Sequence, residues 1–124
     1  MENIQKRAIH QRIKEAEPMN LEDVKQIPLL QTATIAHAIE QDPETLQYII
    51  SCVNRFYAGD YGTMCEEDTE ANNEDLRAGY GHILARYEQK HSLTDDIYIE
   101  AHFDKDNLND IDYTNVLIMY PDER

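Results

Sequence analysis

The spacing of apolar side chains changes once along this chain, from a helical period up to about residue 79 to an alternating one from His82 onward. In the first region, residues 2–17 predict a helix with a thin stripe of Ile4, Ala8, Ile9 and Ile13, ended by Pro18. Asn20 caps a short turn through Gln26, and Pro28 pushes Ile27 toward an extended conformation, so 27–30 reads as a short strand. Thr32 or Thr34 opens a short helix carrying Ile35, Ala36 and Ile39, which ends near Gln41. The next start signal is stronger: Asp42 suits the N-cap, Pro43 the first helical position and Glu44 the positive end of the dipole. Leu46, Ile49, Ile50, Val53 and Tyr57 then recur at spacings of three and four, which predicts a core helix over 43–57.

Residues 59–62, Gly-Asp-Tyr-Gly, form a turn. Thr63 and Glu66 make a capping-box pattern for a polar helix that runs to Arg77, with Gly79 just past its end. Met64, Leu76 and its small residues are the candidates for burial there. The alternating segments 82–87, 97–103 and 114–120 predict three strands. In the middle one Ile97, Ile99, Ala101 and Phe103 should face the core, and Tyr98, Glu100 and His102 the solvent. The expected fold class is α+β, with N-terminal helices packed on a three-stranded antiparallel β-meander. Residues 1–17 would be a helical extension, and 18–124 a single domain.

Charge changes this picture most. Lys and Arg number 11 and Asp and Glu 25, giving a net charge of −14 over 124 residues. Residues 1–17 carry four bases and three acids, so the negative charge belongs to the rest of the chain. Such a field repels nucleic acid and attracts basic surfaces. Two clusters hold much of it: Asp60, Glu66, Glu67, Asp68, Glu70, Glu74 and Asp75 in 58–79, and Asp95, Asp96, Glu100, Asp104, Asp106, Asp110 and Asp112 in 92–112. On a helix Glu66, Glu70 and Glu74 share one face at about 6 Å of rise per step. Like charges so placed cost the helix roughly 0.2–0.5 kcal/mol per pair. A carboxylate row can stand in for the phosphates of a nucleic-acid strand and compete for the Lys/Arg groove of a protein that binds one. Asp60, Glu66, Glu67, Glu70, Glu74, Asp75, Asp95, Asp96, Asp104 and Asp106 are the candidate partner-binding residues. First-turn acids also stabilise a helix, and surface charge maintains solubility, so part of the acidity needs no partner.

Other chemistries find less support. The 104–112 stretch resembles a calcium loop, but Asn109 and Asn115 stand where an EF-hand needs Gly and Glu, and Leu108 occupies a ligand position. At most a weak adventitious cation site is expected there. Cys52 falls in the core helix, and Cys65 at a helix start is surrounded by acids that oppose its ionisation. His10, His37, His82, His91 and His102 are scattered without metal-ligand spacing. Arg55, Arg77 and Arg86 are expected to neutralise nearby carboxylates, and the tyrosines to serve as core and rim aromatics. No cofactor, metal or catalytic residue is expected. Without a signal segment, a membrane span or a disulfide framework, the expected location is the cytoplasm.

Residues 55–62 (Arg-Phe-Tyr-Ala-Gly-Asp-Tyr-Gly), Glu67-Asp68, Asn72-Asn73-Glu74-Asp75-Leu76, Gly79, 83–87, 97–100 and 114–123 together carry a resemblance. In this order they resemble a family of small bacterial proteins of plasmids, phages and other mobile elements. Its members show a Gly-Asp-Trp-Gly turn, an acidic helix containing Asn, a Leu-x-x-Tyr strand and a closing Thr-x-Val-Leu-x-Pro-Glu segment. The resemblance covers about residues 27–123. Tyr61 replaces the Trp, the last strand is altered, and 1–17 and 104–112 look like additions. The family has no established activity, and its members often bear labels mentioning a restriction-system subunit. No nucleotide-binding or methyltransferase motif supports such a label here. The resemblance therefore implies a mobile-element accessory protein and brings no catalytic residues. Two functions are expected from this reading. One is inhibition of a nucleic-acid-binding host-defence protein, such as a CRISPR effector or restriction enzyme, by nucleic-acid mimicry. The other is a small accessory or scaffolding domain that binds a protein partner or itself as a homodimer.

Overall fold

The computed structural model describes residues 19–124; the expected 2–17 helix and its break at Pro18 lie outside them. Among the described residues are four α-helices and four strands: α1 (Leu21–Val24), β1 (Leu29–Gln31), α2 (Ala33–Gln41), α3 (Pro43–Tyr57), α4 (Glu66–Ala78), β2 (Tyr80–Tyr87), β3 (Ile97–Asp104) and β4 (Asn115–Met119). Local chemistry places most of the boundaries. Asn20 and Asp23 cap α1 reciprocally, each side chain accepting the other's backbone N–H at 3.0 Å. Thr32 accepts the Ile35 N–H of α2, and Asp42 the Glu44 N–H of α3. Gly79 ends α4 in the left-handed conformation, φ 81°.

The sheet order is β1-β4-β3-β2. The three expected strands form the antiparallel meander β2-β3-β4. The short N-terminal strand joins it as a fourth, parallel to β4, so the sheet is mixed and not purely antiparallel. Its place is secured from both ends, where the Val116 N–H donates to Pro28 O (2.8 Å) and the Thr32 N–H to Ile118 O (3.1 Å). One face of the sheet carries Ile83, Ala85, Tyr87, Ile97, Ile99, Ala101, Phe103, Val116 and Ile118, all in the core with Val24, Ile35, Ile49, Cys52 and Phe56 of the helices.

Three local expectations are corrected. The buried ridge of α3 is Thr45, Ile49, Cys52 and Phe56; Val53 and Tyr57 are partly buried, while Leu46 and Ile50 are exposed. Thr45 is tolerated inside because its hydroxyl bonds Ser92 Oγ at 2.9 Å, and that serine donates to Ala38 O. Helix α4 begins without a side-chain cap at Cys65, because Thr63 gives both its N–H and its hydroxyl to Arg86 O. Glu100, expected in solvent, is only 3% exposed.

Candidate functional site

Helix α4 lies along the outer edge of β2, and its two sides do different things. Toward the strand, the buried Asn72 accepts the Leu84 N–H through Oδ1 (3.1 Å) and donates Nδ2–H to Leu84 O (2.9 Å). One turn on, Asp75 Oδ2 accepts the His82 N–H at 3.0 Å. The Arg86 N–H donates to Tyr61 O, and the Thr63 N–H returns to Arg86 O. Side chains and a turn thus replace a neighbouring strand. Two glycines make room for this. A Cβ on Gly62 (φ +71°) would lie 1.9 Å from Arg86 O, and one on Gly81 (φ +123°) 2.4 Å from Asp75 Oδ2.

The opposite side of α4 is the acidic row. Glu66, Glu67, Glu70 and Glu74 are exposed. Glu70 meets Arg77 at 3.1 Å, and the other three make no ion pair or hydrogen bond among the described residues. The 104–112 loop starts beside the C-terminal end of α4, because the Lys105 N–H donates to Gly79 O and Asp104 pairs with Tyr80 in register. Asp104 itself caps a single 3₁₀ turn, accepting from the Asp106 N–H and from Asn107 Nδ2, while Asp106 is exposed.

Asp60 and Asp96, with Asp95 next to it, lie by the other end of β2, roughly 23 Å along the strand from Tyr80 and near the turn that leads into the start of α4. Asp60 is held there by Arg55 Nε at 2.7 Å and by the Gly62 N–H, which keep its carboxyl below the usual range. Asp96 accepts from Arg86 Nε at 2.8 Å and from the Gln89 N–H, with the same effect. Asp95 is exposed and accepts the Asp96 N–H. Hence the ten carboxylates do not share one role. Asp60, Asp75, Asp96 and Asp104 brace the fold, while Asp95, Asp106 and the outward row on α4 face solvent. The arginines act as the sequence suggests, with Arg55, Arg77 and Arg86 each on a carboxylate.

The sheet face away from the core holds a feature the sequence reading passed over. Glu100 Oε2 accepts from Arg124 Nε and Nη2 at 3.0 and 2.9 Å, and its Oε1 lies 3.1 Å from His102 Nε2. Across the strand pair, His82 stands directly opposite His102 with ring centroids 5.8 Å apart. The signal was present in the alternation: pairing 82–87 with 97–103 around Tyr87 and Ile97 sets His82 against His102. A groove of about 520 Å³ runs beside this face, lined by Cys65, Asp68, His82, Arg86, Tyr98 and Arg124.

A larger groove of about 800 Å³ lies between α2 and the chain end, with His37, Asp95 and Glu123 on its walls. Burial alone would raise the Glu123 carboxyl, but the Tyr120 N–H and the Thr34 and Thr32 hydroxyls bind it and hold it lower. Of the cysteines, Cys52 is buried and its thiol pushed up by burial, whereas Cys65 is exposed and donates to Asp68. No histidine hydrogen-bonds either thiol among the described residues. No group of three or more His, Cys, Asp or Glu side chains among them is arranged to hold a metal ion. No helix among them is long and apolar enough to cross a membrane. No family model, curated protein or solved structure matches this chain.

Proposed function

We propose that this chain is a non-enzymatic, acidic mobile-element protein that inhibits a nucleic-acid-binding host-defence protein, of the anti-CRISPR or antirestriction type, by mimicking nucleic acid. The observation that carries the reading is the division of labour on α4. Asn72 and Asp75 fasten the helix to the sheet, while Glu66, Glu67, Glu70 and Glu74 line its free side over about 12 Å. A row of like charges works against the helix that bears it, and anchoring by the opposite side offsets that cost. The target would be a Lys/Arg groove, bound by the electrostatics that otherwise hold phosphates. Carboxylates borne on a formed helix meet such a groove with less backbone ordering entropy to lose than those of a flexible acidic tail.

The test is competition. The chain should displace nucleic acid from its partner protein, with affinity falling steeply between low and moderate salt. Glu70→Lys with Glu74→Lys should abolish inhibition while the circular dichroism spectrum is unchanged, since the exposed Glu70–Arg77 pair contributes little to stability. Full inhibition by that double variant would eliminate the acidic-helix mechanism.

A second reading, an accessory or scaffolding domain, is favoured by one observation. Leu46 and Ile50, one turn apart on α3, are 41% and 45% exposed, and Leu29 and Leu30 of β1 are exposed as well. Deleting residues 1–17 and measuring mass by light scattering separates the readings. A drop from dimer to monomer supports self-association, and an unchanged monomer removes it.

A further inference from the structure

We propose that His82 and His102 form an open, two-histidine site for a divalent transition-metal ion, Zn²⁺ being the probe of choice. Three observations converge on this pair. The residues occupy directly opposed positions on β2 and β3, and because the His82 N–H points away to Asp75, theirs is a closely spaced pair without ladder hydrogen bonds. Their ring centroids are 5.8 Å apart with planes inclined by 38°. Two imidazoles bound to one tetrahedral zinc, with Zn–N bonds of about 2.0 Å, hold their centroids roughly 5.2 Å apart. A small rotation of two exposed rings closes that difference.

The third observation is what stands behind His102. Its Nε2 lies 3.1 Å from Oε1 of Glu100, a carboxylate fixed by Arg124 on its other oxygen. A carboxylate beside Nε2 favours the proton there and leaves Nδ1 as the basic nitrogen. This is the outer-shell arrangement that orients metal-binding histidines and raises their basicity. The Arg124 charge is matched by Glu100, so it does not cancel the cation-attracting field of an acidic chain.

Two side chains fall short of the three or four that close a structural zinc site. The ion would therefore keep positions open to water or to a donor atom of a bound partner, beside the groove that runs under α4. Soft-to-borderline ions that favour imidazole are expected, not Mg²⁺ or Ca²⁺. This site is independent of the acidic row and stands whether or not that row binds a partner.

The experiment is calorimetric titration of the untagged, full-length chain with Zn²⁺ in excess Mg²⁺, which occupies the surface carboxylates. One Zn²⁺ per chain is expected. His82→Ala and His102→Ala should each weaken binding at least tenfold, and Glu100→Gln about tenfold through the loss of ligand orientation. Imidazole nitrogen spectra of the wild-type chain supply a readout that needs no variant. The His82 and His102 resonances should shift first and together, ahead of His10, His37 and His91. Binding absent above the Mg²⁺ background, binding unchanged in the double His82→Ala, His102→Ala variant, or a first shift at another histidine would each overturn the proposal.

Discussion

Along the outer side of β2, the N–H groups of His82, Leu84 and Arg86 are taken by Asp75, Asn72 and Tyr61. Along β1, at the other end of the sheet, no strand among the described residues pairs with the outer side, and all three residues are exposed. Both are edges, and both must avoid recruiting a foreign strand. The long edge of eight residues is covered, whereas the short one of three offers too little template to need it. The covered edge spends a buried amide and two special glycines on closure. The open edge spends nothing and leaves two leucines in solvent.

The largest effect should come from breaking the covered edge at its tightest point. Gly62→Ala places a methyl group 1.9 Å from Arg86 O at a positive φ, and a loss of about 3 kcal/mol is expected. Chemical denaturation would show it as a lower midpoint with an unchanged slope. Next comes Asn72→Ala, which strands both the N–H and the C=O of Leu84 in a buried setting and should cost about 2 kcal/mol. Amide exchange at Leu84 should speed up with it. Protection retained at Leu84 would mean that α4 does not close the edge.

A smaller effect is expected from pH. The lowered carboxyls of Asp60 and Asp96 contribute stability that is complete above the unfolded value near 4 and is lost as pH falls through the lower folded values. Stability should therefore decline in the acid range below about pH 4. Asp96→Asn should shallow that decline, because one proton-linked contact is gone before the titration starts. An unaltered acid limb would show that the Arg86–Asp96 pair does not couple to folding. Smallest of all should be Leu29→Lys on the open edge, within about 0.5 kcal/mol of the wild type. A loss of 2 kcal/mol or more would show that β1 is covered after all.

How far these features were legible depended on the range of the interaction. Caps at Asn20, Asp42 and Gly79 follow from residues within a turn of one another and were readable, and the cap of α2 was narrowed to Thr32 or Thr34, of which Thr32 serves. So was the alternation that buries Ile97, Ile99, Ala101 and Phe103. The parallel pairing of β1 with β4 joins residues more than eighty positions apart, and a three-residue segment carries no period to announce it. The α3 ridge was misjudged because Thr45 is buried by a hydroxyl contact to Ser92, a partner that no count of apolar residues includes. Glu100 was misplaced for a similar reason, since Arg124 matches its charge from the far end of the chain. Among the acids, sequence shows the charge but not its employment. Asp75 and Glu74 are neighbours with the same chemistry, and only the direction of each side chain makes one a strand partner and the other a surface charge.

That difference between neighbours separates two kinds of constraint on a single helix. Positions 72 and 75 can tolerate few replacements, because they stand in for a missing strand. Among the described residues, positions 66, 67, 70 and 74 make one exposed ion pair, and Glu66 and Glu67 add only the small first-turn benefit of an acid. Substitutions can accumulate on the outer side of α4 at little cost to folding, so under the proposed mimicry that side would be free to drift with its target while the scaffold beneath it stays the same.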